Sequence, residues 1–145
     1  MTRVVKETVV RAPPERVFRA LTQPAERALW IASMREKGTG APLAVGARVE
    51  GQRTAPGSRS TYLLTVRRLD APRALEMDIA RNGDPVGSAG YELAPTPEGT
   101  KVRGWAEAQL KGLQKLAAPM VTKGMEDELV VDLASLKKYV EAGGA

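Results

Sequence analysis

Apolar and polar positions alternate around a valine-rich opening, "RVVKETVVRA", which predicts a β-strand from about Arg3 to Arg11. Pro13 and Pro14 end that strand. Proline has no N–H and a fixed φ, so it suits the first turn of a helix, and Glu15 complements the positive helix end. Val17, Phe18 and Leu21 then recur at three- and four-residue spacings, predicting a helix from Pro14 to about Leu21 with Arg16 and Arg19 facing water. "TQP" breaks the chain again before a second short helix, "AERALW", that ends on Leu29 and Trp30.

Beyond Trp30 the period changes to two. "GAPLAVG", "TAPGS", "DAPRA", "RNGDP" and "PTPEGT" are turn signals that separate strand candidates. Leu75, Met77 and Ile79 alternate with Glu76 and Asp78, so one face of that strand is buried and the other wet. The same alternation groups Tyr62, Leu64 and Val66; Ala89, Tyr91 and Leu93; Ala47, Val49, Gly51 and Arg53; and Val102 with Gly104, Ala106 and Ala108. A sheet with one apolar face needs a cover, and the C-terminal third is the only long helical segment. Leu129, Leu133, Leu136 and Val140 form its stripe, and "EAGGA" is its stop. Leu113, Leu116 and Met120 would point nearly opposite to that stripe on a straight helix. Pro119 and the weak helix former Gly124 predict a kink or break between Leu116 and Gly124.

The chain of 145 residues is expected to form one α+β domain, residues 1–145. Its 43% apolar and 27% charged residues are those of a soluble protein, and no apolar run reaches the length of a membrane span. The first segment carries charge and lacks a small-residue cleavage site, so it is expected to be a strand of a cytoplasmic protein, not a secretion signal. With neither cysteine nor histidine, disulfides, thiolate nucleophiles and imidazole-based catalysis are excluded, and no metal or cofactor site is expected. The net charge of +5 raises nucleic acid as a partner. The arginines are scattered through every element and the aromatic residues are few, so no nucleic-acid binding is expected.

Strand, two short helices, a long antiparallel meander and a long final helix resemble the Bet v 1/START-like (SRPBCC) superfamily, and within it the bacterial polyketide cyclase/dehydrase and lipid-transport-like proteins. The resemblance rests on "VVRAPPERVFRALTQPAERALW", "VRRLDAPRALEM", "GYELAPTPEGTKV" and "LKGLQKLAAPMV" with "LASLKKYVE". It implies a helix-grip fold: a curved antiparallel sheet of about seven strands wrapped around a long C-terminal α-helix, with two short helices after strand one. It also implies a cavity between sheet and helix that takes an apolar small molecule in many members.

Small residues at Ala89, Gly104, Ala106 and Ala108 leave room for such a cavity. Candidates for its wall are Trp30, Tyr62, Leu64, Met77, Tyr91, Val102, Met120 and Gly124, with the hydroxyls of Tyr62 and Tyr91 as polar contacts. Arg53 is a candidate polar orienter for a carboxylate or enolate. Glu126, Asp127 and Glu128 are adjacent on a helix, point in different directions, and do not make an acid–base pair. Trp105 shares a register with Lys101, Arg103 and Glu107, so without a bulge at Gly104 it is expected to be exposed, as a homodimer or partner contact. Three readings follow, in this order: a binding or carrier protein for a lipid or polyketide-like molecule, without stable membrane insertion; a polyketide cyclase/dehydratase-like enzyme; and a cochaperone-like protein-binding module.

Overall fold

In the computed structural model, which describes residues 2–55 and 57–143, the valine-rich opening is strand β1 (Thr2–Val10). Pro56 of "TAPGS" and Gly144 and Ala145 of "EAGGA" lie outside the described residues. Pro13 caps α1 (Pro14–Thr22), and Pro24 opens α2 (Pro24–Trp30). The meander follows as β2 (Arg35–Glu36), β3 (Arg48–Ala55), β4 (Ser58–Asp70), β5 (Ala74–Arg81), β6 (Asp84–Thr96) and β7 (Gly99–Ala108). A 3-10 turn (Gly112–Ala117) leads into α3 (Ala118–Glu141).

The strands form one antiparallel sheet in the order β1-β7-β6-β5-β4-β3-β2, curled as a half-barrel in the helix-grip manner. Its registers are those of the alternating sequence. Val49 pairs with Leu64 and Leu64 with Ile79, while Val66, Met77, Ala89 and Ala106 stand in one row across β4 to β7. Asn82 and Gly83, with φ of 49° and 90°, make the tight turn between β5 and β6, a conformation that Asn-Gly accepts at little cost. The stripe of Leu129, Leu133, Leu136 and Val140 is buried against the sheet.

The break in the C-terminal segment falls at the Pro119 end of its expected window. Pro119 has no N–H to donate to the carbonyl four residues back, and the Ala118 N–H bonds the Lys115 carbonyl three back instead, so the chain arrives as a 3-10 turn and becomes α-helical from Ala118. Gly124 stays inside the helix. Two polar attachments fix α3 relative to the chain after α2. The Asp132 carboxylate accepts from the Ala32 and Ser33 N–H groups, both at 2.9 Å, and from the Ser33 hydroxyl at 2.6 Å. The Ser135 hydroxyl donates to the Trp30 carbonyl.

Two exposed placements are corrected. Arg16 packs over the Tyr139 ring, 5.6 Å from its centre, and pairs with Glu26 at 2.9 Å, because α3 passes beside α1. Trp105 is only 5% exposed. The pairing of β6 with β7 has no register shift, so Gly104 makes no bulge and Trp105 keeps the convex face. It is buried there because Gly90 opposite has no side chain: a Cβ at Gly90 would lie 2.7 Å from the indole. The guanidinium groups of Arg3 and Arg67 then cover the ring at 4.6 and 5.9 Å from its centre. The indole therefore offers no exposed contact for a partner.

Candidate functional site

Helix and sheet touch at one end of α3 and part at the other. At Gly104 the helix comes close, and a Cβ there would meet Leu129 at 2.8 Å. One pleat further, Ala106 and Ala108 are too short to span the gap, and Gly124 on α3 faces open space. The result is a cavity of about 1110 Å³, walled by Tyr62, Ile79, Ala106 and Ala108 from the sheet and by Val121, Gly124 and Met125 from α3. Exposed Leu113, Gln114 and Ala117 of the 3-10 turn stand at its rim.

At one side of this space the sheet becomes cationic. Arg53 donates to Glu128 of α3 through both terminal nitrogens, at 2.6 and 2.5 Å, and lies over the Tyr62 ring at 4.8 Å. Arg81, paired with Tyr62 across β4 and β5, extends the same wall and reaches the Ser60 hydroxyl at 3.4 Å. On the other side of Arg53, Tyr62 and Arg81 lies a second hollow of about 830 Å³, lined also by Arg35, Arg59, Gln52 and Ser58.

Of the residues expected at the wall, Tyr62 and Gly124 line the cavity together with Arg53. Leu64, Met77 and Val102 are buried in the closed part of the core. Trp30 is 1% exposed and donates from its indole N–H to the Ala20 carbonyl at 2.7 Å, so it closes the α1–α2 corner instead of lining the space. Tyr91 stands edge-on to Trp30, ring centres 6.3 Å apart, outside the cavity walls. Burial pushes its phenol well above the ordinary range, and the nearby Asp132 carboxylate pushes it the same way, so Tyr91 stays protonated at neutral pH. Met120 is a correction. It is 78% exposed, because the break precedes it: α3 runs unbroken from Ala118 through the leucine stripe, and on one helix residue 120 points away from that stripe.

Arg81, Glu128, Val121 and Met125 also line the cavity. Alternation through Leu75, Met77 and Ile79, continued one step, reaches Arg81. Glu128 follows Gly124 by four residues, hence on the same helix face. Among the described residues, no group of acidic side chains is arranged to hold a metal ion.

A half-barrel gripping a long helix, with an open and partly apolar cavity between them, defines the helix-grip class of folds. The chain belongs to the polyketide cyclase/dehydrase and lipid transport family, whose model matches residues 1–141. No curated protein sequence matches it. Among solved structures it is similar to a protein of Chromobacterium violaceum, at 19% identity and a TM-score of 0.77, covering 97% of this chain and 99% of that one. An AHSA1-like protein of Aeromonas hydrophila aligns at 22% identity and a TM-score of 0.74, covering 99% of this chain and 94% of that one. DynU16, from the dynemicin biosynthetic locus, aligns at 19% identity and a TM-score of 0.73, covering 99% of this chain and 48% of that one. These likenesses are likenesses of fold.

Proposed function

We propose that this protein binds an apolar small molecule, a lipid or polyketide-like compound, reversibly in the cavity between the sheet and α3. One observation carries the reading: α3 leaves about 1110 Å³ unfilled over Ala106, Ala108 and Gly124, where larger apolar side chains would have packed the interior solid. The volume suits a ligand of drug or lipid-fragment size. Family membership supports the same class of ligand. The protein-binding reading loses its main residue, since Trp105 is covered by Arg3 and Arg67.

Native mass spectrometry of the protein purified from its own host, followed by denaturation to release and weigh anything bound, tests this. A co-purifying apolar compound is the expected result. Bare protein that also refuses neutral apolar fluorescent probes would overturn it.

A cyclase-like reaction is the second reading, favoured by Arg53 and Tyr62 meeting at the cavity wall. It requires that Tyr62→Phe remove turnover of a bound polyketide-like compound and leave its affinity intact. Equal turnover in both proteins would dismiss a proton-transfer role for the phenol.

A further inference from the structure

The cationic hollow beside the cavity holds more positive charge than the protein neutralises. Its lining contains Arg35, Arg53, Arg59 and Arg81 and no acidic residue; Glu128, outside that lining, pairs with Arg53, and Asp84, opposite Arg81 across β5 and β6, makes no ion pair with it among the described residues. Outside the hollow many arginines are matched, Arg3 with Glu107, Arg27 with Glu36, Arg67 with Glu76 and Asp78, while Arg11, Arg48 and Arg103, on the exposed surface, form no ion pair among the described residues. Among the described residues, Arg35 and Arg59 have no ion pair or side-chain hydrogen bond, and Arg81 has only its long contact to Ser60. The Nε of Arg53 is buried without a partner, although both terminal nitrogens are engaged. Arg35, Arg59 and Arg81 share one hollow without a paired carboxylate, like charges so placed repel one another, and a bound anion relieves that repulsion.

The hollow adjoins the cavity, and Arg53, Tyr62 and Arg81 line both. We propose that the ligand is an anionic amphiphile. An oxyanion head, carboxylate or phosphate, sits among Arg53, Arg59 and Arg81, and an apolar tail runs along Ile79, Ala106 and Met125 beneath α3. Guanidinium forks match planar carboxylates and phosphate oxygens bidentately, and Tyr62, under Arg53, stands at the boundary between head and tail. This inference rests on the reading of the cavity as a ligand site and adds the polarity and direction of the ligand.

Isothermal titration calorimetry with dodecanoate, dodecyl phosphate and dodecanol, three tails of one length, separates the two claims. The expected result is binding of at least one acidic amphiphile about tenfold or more tighter than dodecanol, weakening as salt is raised. The tighter of the two acids names the head. The double variant Arg59→Gln/Arg81→Gln should bring the acid down to about the alcohol's affinity while weakening the alcohol far less; both residues are exposed, and circular dichroism checks the fold. Equal affinity of dodecanol and both acids, or an acid affinity indifferent to the double variant, overturns the head-group site while leaving the cavity as a binding site. Failure of all three to bind overturns the cavity reading itself.

Discussion

Arg53 of β3 and Glu128 of α3 are joined by two hydrogen bonds, 2.6 and 2.5 Å long, across the place where the apolar cavity meets the cationic hollow. The bond ties the sheet to its covering helix and also occupies the guanidinium fork that an acidic ligand would use. With side chains 31% and 41% exposed, the pair contributes no more than about 1 kcal/mol to stability. Glu128→Gln should therefore lower stability only slightly and raise the affinity for dodecanoate about three- to tenfold, since Arg53 regains an uncompensated charge. Calorimetric titration beside a melting curve measures both. An unchanged affinity would mean that Arg53 does not meet the ligand.

A second pair acts on stability alone. The guanidinium of Arg27 donates to both oxygens of Glu36, at 3.0 and 2.9 Å, and to the Leu21 carbonyl at 2.8 Å, with both side chains 2% exposed. Removing one partner strands a buried charge, so Arg27→Met should cost about 3–5 kcal/mol in urea denaturation. The double replacement Arg27→Met/Glu36→Leu removes both charges and should return most of that loss. A single replacement costing under about 1 kcal/mol would show that water reaches the site.

The strand faces could be read from the sequence because each apolar face repeats every second residue, and the bulges, between Val66 and Arg68 and between Ile79 and Ala80, lie beyond the residues that set those faces. The helix break could be read because proline removes a donor wherever it stands. The cavity wall was only half legible. Small residues at Ala106 and Ala108 mark missing volume, but whether a helix fills that volume depends on how closely it approaches, which Gly104 and Leu129 set by contact. Met120 shows the same limit: it joins the helix face opposite the stripe only because the break falls before it. Trp105 shows another, since its cover comes from Arg3 and Arg67, far apart in sequence and meeting only through the sheet.

The glycines of β6 and β7 separate two kinds of close approach. A Cβ on Gly90 would lie 2.5 Å from the Leu75 carbonyl and 2.7 Å from the Trp105 ring, so backbone and a pinned indole must both move. On Gly104 its nearest neighbour would be a terminal methyl of Leu129 at 2.8 Å, which rotates away. Gly90→Ala should therefore cost about 2–3 kcal/mol and shift the tryptophan emission, whereas Gly104→Ala should cost about 1 kcal/mol or less. Denaturation curves of the two variants give the order. The reverse order would mean that α3 cannot yield at Leu129.

Acid should loosen the junction of α1, α2 and α3. Burial works to raise the pKa of Glu26, but the Tyr139 hydroxyl and the guanidinium groups of Arg16 and Arg19 outweigh it and hold the carboxyl below its ordinary 4.5. A depressed carboxyl contributes stability that is complete above its unfolded value and is lost as pH falls through the folded one. The loss attributable to Glu26 therefore begins near 4.5 and deepens below it. Melting temperatures from about pH 6 down to about pH 3 should fall more steeply for the wild type than for Glu26→Gln, which has no charge there to lose. Parallel curves would assign the acid limb to other carboxyls, with Glu76 and Glu141, also held low by their arginine and lysine partners, the next to test.

Gly124 allows the cavity to be closed without harming the fold. It lies within α3, has no left-handed φ, and nothing stands within 4 Å of where its Cβ would be. Replacing a helical glycine with leucine removes a conformational penalty of up to about 1 kcal/mol, and the new side chain enters the unfilled space against Ala106 and Ala108. Gly124→Leu should thus melt at the same temperature as the wild type or higher, while its affinity for an apolar probe falls about tenfold or more as the probe's volume is taken. Most substitutions that abolish binding also destabilise, so opposite signs in the two measurements are hard to obtain by general damage. A stabilised variant that still binds at full affinity would mean that the ligand lies elsewhere, and the cationic hollow beyond Arg53 would be the place to look.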